Sequence, residues 1–198
     1  MSAAKVKKAA PRKAKAARPA AAPRTPRAAA APMGQKEFLT RAWGMEVEAV
    51  ERYSMLADAM EQHNNTEVAE LFRKLARIEQ LHADRILEEN PRAPAPQLPA
   101  GGLNWDTGEG PETADPGELH YRMQPYHALQ IALRCEQRAY AFFTRVARIS
   151  QSASVRKAAK GMADEEAEHV RLIEDWLSRT PVPRKDWEND PDPPVWSD

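Results

Sequence analysis

Four stretches of this chain, each of about 25 residues, carry apolar residues at helical spacing, and a glutamate interrupts each of the four apolar stripes near its middle. In residues 36–62 the stripe Leu39, Ala42, Trp43, Ala49, Val50, Tyr53, Leu56, Ala57 and Met60 is broken by Glu46. In residues 66–89 the stripe Val68, Leu71, Phe72, Leu75, Ile78, Ala83 and Ile86 is broken by Glu79 and His82. Residues 126–150 carry Glu136 between Ala132 and Ala139/Phe143, and residues 154–178 carry Glu166 and His169 between Met162 and Ile173. Burying an unpaired carboxylate costs on the order of several kcal/mol, so four buried glutamates demand a shared partner.

The depths of these residues agree. With the first inter-helix turn near 63–64, Glu46 lies about 17 residues before it and Glu79/His82 about 16 to 18 after it. With the second near 151–152, Glu136 lies about 15 or 16 residues before and Glu166/His169 about 15 to 18 after. At about 1.5 Å per residue these offsets differ by less than one helical turn, so all six side chains can meet at one level. The pattern also repeats: each half contributes one Glu, then a Glu-x-x-His, as GluGlnLeuHis at 79–82 and GluAlaGluHis at 166–169. Groups at i and i+3 project from one helical face. Four carboxylates and two neutral imidazoles carry a charge of −4, which two divalent cations neutralise.

Two long helical hairpins joined by a long connection describe an all-α, four-helix bundle with one crossover. The bundle is expected over residues 35–180, with Thr66 as the N-cap of the second helix and Pro181 and Pro183 stopping the fourth. The crossover, about residues 90–125, is rich in Pro and Gly and has no period from which to assign a structure, although it carries Trp105. Residues 181–198 form an acidic, Pro-rich tail whose large apolar groups are Trp187 and Trp196. No segment alternates as a strand does. Glu48, Glu51, Glu165 and Glu168 fall off the stripes and are expected as surface charges, whereas Cys135 is expected as a small buried residue.

The constellation resembles the ferritin-like di-iron carboxylate superfamily, and within it the rubrerythrin/erythrin branch. GluValGluAlaValGluArgTyr at 46–53 is similar to that branch's first-helix signature, with the ligand Glu seven residues before an aromatic; GluGlnArgAlaTyrAlaPhePhe at 136–143 repeats it with Phe143. The resemblance implies that Glu46, Glu79, His82, Glu136, Glu166 and His169 ligate two Fe ions, with Mn or a mixed Mn/Fe pair as the alternative. It also sets Tyr53 and Tyr140 beside the ligands, where each either packs in the core or hydrogen-bonds a ligand carboxylate. The implied activity is oxidation of Fe²⁺ or reduction of O₂ or H₂O₂, as a ferroxidase or peroxidase in oxidative-stress defence and iron handling. The branch's usual Cys₄ centre cannot be built from the chain's single Cys, so electrons are expected from Fe²⁺ itself or from an external donor. A homodimer is expected by analogy alone.

The formal net charge of zero hides an asymmetry. Nine of the 29 Lys and Arg lie in residues 1–34, which hold no acid, leaving 20 bases against 29 acids and a net charge of −9 elsewhere. That arm, rich in Ala and Pro, is expected to be disordered, because its five prolines forbid a continuous helix and it has little to bury. Contact with nucleic acid or another polyanion is one reading of it; a solubilising extension and a transit peptide are the others. The alternative to an enzyme is therefore a metal-sequestering, stress-protective protein anchored to nucleic acid by residues 1–34. No apolar run approaches the roughly 20 residues that a membrane helix needs. A single Cys fits a reducing, cytoplasmic setting and excludes a disulfide framework.

Overall fold

The computed structural model describes residues 33–91, 96–99, 102–105 and 108–192. The basic arm lies outside these residues except for Met33 and Gly34, as does Trp196. Four α-helices carry the fold: α1 (Gln35–Gln62), α2 (Thr66–Glu89), α3 (Pro125–Ile149) and α4 (Ala153–Arg179). α1 pairs with α2 and α3 with α4, and the two hairpins close on each other through α2 against α3 and α1 against α4. There is no strand among the described residues, and no helix among them is long and apolar enough to cross a membrane.

The helix ends follow local chemistry. α1 ends at His63, and Asn64 takes the left-handed backbone (φ 57°) that Asn tolerates better than most side chains. Asn65, rather than Thr66, is the N-cap of α2: its side-chain oxygen accepts from Val68 N–H at 3.4 Å. Its amide also donates to the carbonyls of Met123 (2.7 Å) and Tyr121 (3.2 Å), which ties the first hairpin turn to the end of the crossover. Thr66 offers an acceptor oxygen one residue later, but its hydroxyl carries one donor, whereas the Asn65 amide caps through its oxygen and reaches two carbonyls through its nitrogen. α3 starts with Pro125 at its first position and a reciprocal cap between Gln124 and His127. Ser152 caps α4.

Two apolar clusters fill the bundle. One gathers Tyr53, Leu56, Met60, Phe72, Leu75, Ile131, Cys135 and Ile173. The other gathers Phe38, Met45, Ile86, Phe143, Val146 and Val155. Along every helix the ionisable residues fall between these two groups, so the carboxylates form a polar layer between two apolar ones.

The crossover is laid against the bundle. Leu98 and Leu103 press on α1 at Gly44, where an added Cβ would stand 2.6 Å and 2.5 Å from their methyl groups. Trp105 is buried and meets Phe142 edge to face. The tail folds back as well: Tyr121 O–H donates to Asp190 at 2.6 Å, Arg122 donates to Asn189 C=O at 2.8 Å, and Trp187 lies 3.8 Å from the His127 ring.

Candidate metal centre

Each hairpin brings one glutamate from its first helix to the Glu-x-x-His of its second. Glu46, Glu79 and His82 offer ligand atoms all within 4.8 Å of one another, and so do Glu136, Glu166 and His169. His82 Nδ1 is 3.0 Å from Glu79 Oε2 and 3.8 Å from Glu46 Oε2. His169 Nδ1 is 3.1 Å from Glu166 Oε2 and 3.4 Å from Glu136 Oε2. The two imidazoles stack at 4.1 Å with 5° between their planes, so the two halves lie side by side. All six residues singled out from the sequence therefore meet in one layer.

A seventh carboxylate joins them. Glu112, on the crossover, is fully buried, and its ligand atom lies within 4.8 Å of those of Glu79 and Glu136. It sits in GlyProGluThrAla, a stretch without periodicity, and nothing in the sequence separates it from the other crossover acids.

The layer is electrostatically unfinished. Both oxygens of Glu112, Oε2 of Glu46, Oε1 of Glu79 and Oε2 of Glu136 are buried without a hydrogen-bond partner. Burial, and then the neighbouring carboxylates, push Glu46, Glu79 and Glu112 well above the usual carboxylate range. Glu166 is pushed up to about 7, again chiefly by burial. For His169 burial disfavours the charged ring, but Glu136 and Glu166 outweigh it and raise it to about 10. His82 goes the other way, to about 3, through burial and the neighbouring His169. Native cores pair or neutralise buried charge, and here four carboxylates, which accept when ionised, each keep at least one oxygen unpaired. Oxygen and imidazole donors around a shared centre are the ligand chemistry of Fe, Mn and Zn. The residues fit a pair of cations.

Tyr53 and Tyr140 part company. Tyr53 is fully buried, stacked on Phe72, and its hydroxyl has no hydrogen-bond partner. Burial, the adjacent Cys135 and the Glu136, Glu79 and Glu112 carboxylates hold its phenol well above the usual range. Tyr140, expected beside the ligands, is instead 42 % exposed on α3. At about 100° per residue it falls beyond Glu136 on the side away from Ala132 and Ala139, so it turns to the surface. Cys135 is buried and its thiol is pushed up to about 11 by burial, which leaves it a poor nucleophile.

The expected surface charges also divide. Glu51 and Glu168 are exposed, and Glu165 is half-buried with Arg85 3.8 Å away. Glu48 is not a free surface charge: it accepts from Leu103 N–H at 3.2 Å and from Trp105 Nε1 at 2.8 Å. Glu48→Ala is therefore expected to loosen the crossover, by about 1 to 3 kcal/mol for the indole and backbone donors it orphans. Glu168→Ala should stay within about 0.5 kcal/mol of the parent. Thermal melts of the two variants compare them directly; equal melting temperatures would contradict the role given to Glu48.

Comparison with known proteins agrees with this geometry. The Rubrerythrin family model matches residues 37–92, which span α1 and α2 and include Glu46, Glu79 and His82. A crystal structure of an uncharacterized conserved protein from Magnetospirillum magnetotacticum MS-1, at 2.00 Å resolution, is 37% identical. The match covers 77% of this chain and 99% of that one, with a TM-score of 0.57. A search of curated proteins gives no match.

Proposed function

The chain belongs to the rubrerythrin family of ferritin-like proteins, and on that premise we propose that it is a di-iron oxidoreductase that oxidises Fe²⁺ or reduces O₂ or H₂O₂. The observation that carries this reading is the pair of matched Glu/Glu/His groups meeting in one layer, with buried oxygens of Glu46, Glu79 and Glu136 lacking partners. An iron pair held there supplies two electrons to one oxidant molecule.

The chain's own residues set the conditions for that chemistry. Glu46, Glu79 and His82 would hold one position, and Glu136, Glu166 and His169 the other. The four helix carboxylates balance the charge of two divalent ions, and Glu112, the fifth carboxylate of the layer, leaves a single negative charge over. In the metal-free layer burial and the neighbouring His169 hold His82 below the usual imidazole range, whereas His169, held above it by Glu136 and Glu166, must release a proton to ligate. The apolar clusters on both sides exclude water, and this strengthens every charge interaction in the layer. Donor chemistry of this kind accepts Mn as well as Fe, so a manganese or mixed pair is the alternative loading. As a ferroxidase the protein would take its electrons from Fe²⁺ itself; as a peroxidase it would take them from an external donor.

The test is anaerobic loading with Fe²⁺ followed by addition of O₂ or H₂O₂. Consumption of oxidant faster than by free iron, with ferric absorption growing in step, is the expected result. Iron retained while the oxidant persists would replace the enzyme by a metal-sequestering protein.

That second reading draws on the arm, whose nine bases without an acid adjoin a remainder of net charge −9. In it, residues 1–34 bind a polyanion through phosphates, without sequence preference, since the arm carries no aromatic side chain. Binding should then weaken steeply with salt, with a slope of log K on log[salt] no steeper than about −8. Deletion of residues 1–34 should abolish it and leave iron oxidation intact; DNA binding that survives the deletion in a gel-shift assay would contradict this reading.

A further inference from the structure

Glu112 differs from the six residues on the helices in how it is held. It lies at the centre of a turn closed by Thr113 N–H on Gly110 C=O at 3.1 Å, with Pro111 before it. From α3, Arg138 Nε donates to Pro111 C=O at 2.7 Å and its Nη2 donates to Thr113 C=O at 3.0 Å. Those are the carbonyls on either side of Glu112. From α1, Glu48 holds Leu103 N–H and the Trp105 indole. The approach there is close: a Cβ on Gly110 would stand 2.7 Å from Glu48 Oε2. Glu48 follows Glu46 by two residues, and Arg138 follows Glu136 by two. Each helix that contributes a single ligand glutamate thus also grips the crossover from just beyond it.

Connecting segments ordinarily keep their charged groups in water. This one buries a carboxylate completely, gives neither oxygen a hydrogen-bond partner, and sets it against two other buried carboxylates. Three carboxylates converging without a donor attract nothing but a cation or protons. The fork of Arg138 spans two backbone carbonyls and so fixes the turn that carries the group, a geometry that a Lys could not reproduce.

We propose that Glu112 is a seventh metal-ligating carboxylate, delivered by the crossover to the Glu79/Glu136 side of the centre, and that Arg138 is the positioning residue that aims it. The proposal rests on the metal reading above and adds to it a ligand carried on a clamped strap instead of a helix. Arg138 touches no metal; it acts through the Pro111 and Thr113 carbonyls.

The test uses Co²⁺, whose absorption reports coordination number and geometry, in equilibrium titrations of the full chain. The parent protein is expected to bind two Co²⁺. Glu112→Gln, which keeps the shape and removes the charge, weakens one of the two binding steps at least tenfold and alters the Co²⁺ spectrum. Arg138→Gln weakens the same step by roughly tenfold, as loss of a ligand-orienting partner does. In the double variant the Arg138 substitution adds no further loss, because the group it aims is already gone. Binding and spectrum unchanged in Glu112→Gln overturn the ligand assignment. Additive losses in the double variant overturn the positioning role, since a merely structural residue would act in either background. Failure of the parent protein to take up Co²⁺ is a separate result, seen before any variant is made; it removes the metal reading itself and the seventh ligand with it.

Discussion

Alanine at Glu136 is expected to abolish binding of the metal pair while leaving a helical bundle. Glu136 is 2% exposed and is common to the Glu136/Glu166/His169 and Glu79/Glu112/Glu136 groups, so its loss removes a donor from both. The metal-free bundle should keep its helices, since the change relieves repulsion with Glu79 and Glu112 while it costs the contact with His169 at 3.4 Å. The loss shows in linkage. A metal at a hundredfold excess over its dissociation constant stabilises the parent fold by about 2.7 kcal/mol, or roughly 5 to 10 °C for a chain of this size. In Glu136→Ala, and equally in Glu46→Ala, that increment should vanish. Calorimetric melts with and without metal check it; a variant that keeps the parent's metal-induced shift would contradict the assignment.

The second large effect is a pH dependence that metal removes. In the metal-free protein, burial and mutual repulsion raise Glu46, Glu79 and Glu112 well above the usual carboxylate range. In the unfolded chain such groups lose their protons near pH 4.3, so above that pH, until their raised folded values are passed, the folded state binds more protons and a rise in pH destabilises it. Glu166 follows the same sign, its contribution full below the unfolded value and lost as pH rises through about 7. His169 does too, full below about 6.5 and lost as pH climbs through about 10. His82 has the opposite sign: its contribution is present above about 6.5 and lost as pH falls toward about 3. Above neutrality the His82 contribution is therefore constant and the others all act downward. Between about pH 7 and pH 9 the metal-free bundle should lose several degrees of melting temperature, at roughly 2 to 4 °C per kcal/mol. Metal takes the place of these protons, so the loaded protein should not show that fall, and loading near neutral pH should release protons. A metal-free melting temperature that rises over this interval would contradict the picture of a crowded, proton-holding layer.

The helices and six of the seven carboxylate and imidazole residues are legible in the sequence because a helix repeats. A glutamate in phase with Ala42, Ala49 and Tyr53 must point inward with them, and four such breaks at matching depth set four carboxylates at one level of the core. The same periodicity accounts for Tyr53, which follows Glu46 by seven residues as Phe143 follows Glu136. It also holds the reason Tyr140 turns outward, since four residues beyond Glu136 carries it past the stripe's edge. The crossover offers no such ruler. Glu112, Gly110 and Trp105 take their places from long-range contacts with Glu48 and Arg138, and those contacts leave no spacing to read. Glu48 reads as a solvated charge in the sequence because its partners lie 55 and 57 residues away, on a segment without a predicted structure. The N-cap of α2 falls one residue before the expected Thr66 for a related reason: Asn65 is chosen by its amide bonds to Tyr121 and Met123 as well as by the helix it caps.

The paired centre is tested most directly by the number of metal ions that the carboxylate layer holds. Purified, metal-stripped protein titrated with Fe²⁺ under strict anaerobiosis, with bound iron counted against chain concentration, should saturate at two ions per chain. Saturation at one, or no binding above that of a Glu46→Ala/Glu136→Ala control, would contradict the reading of these buried carboxylates as a paired metal centre.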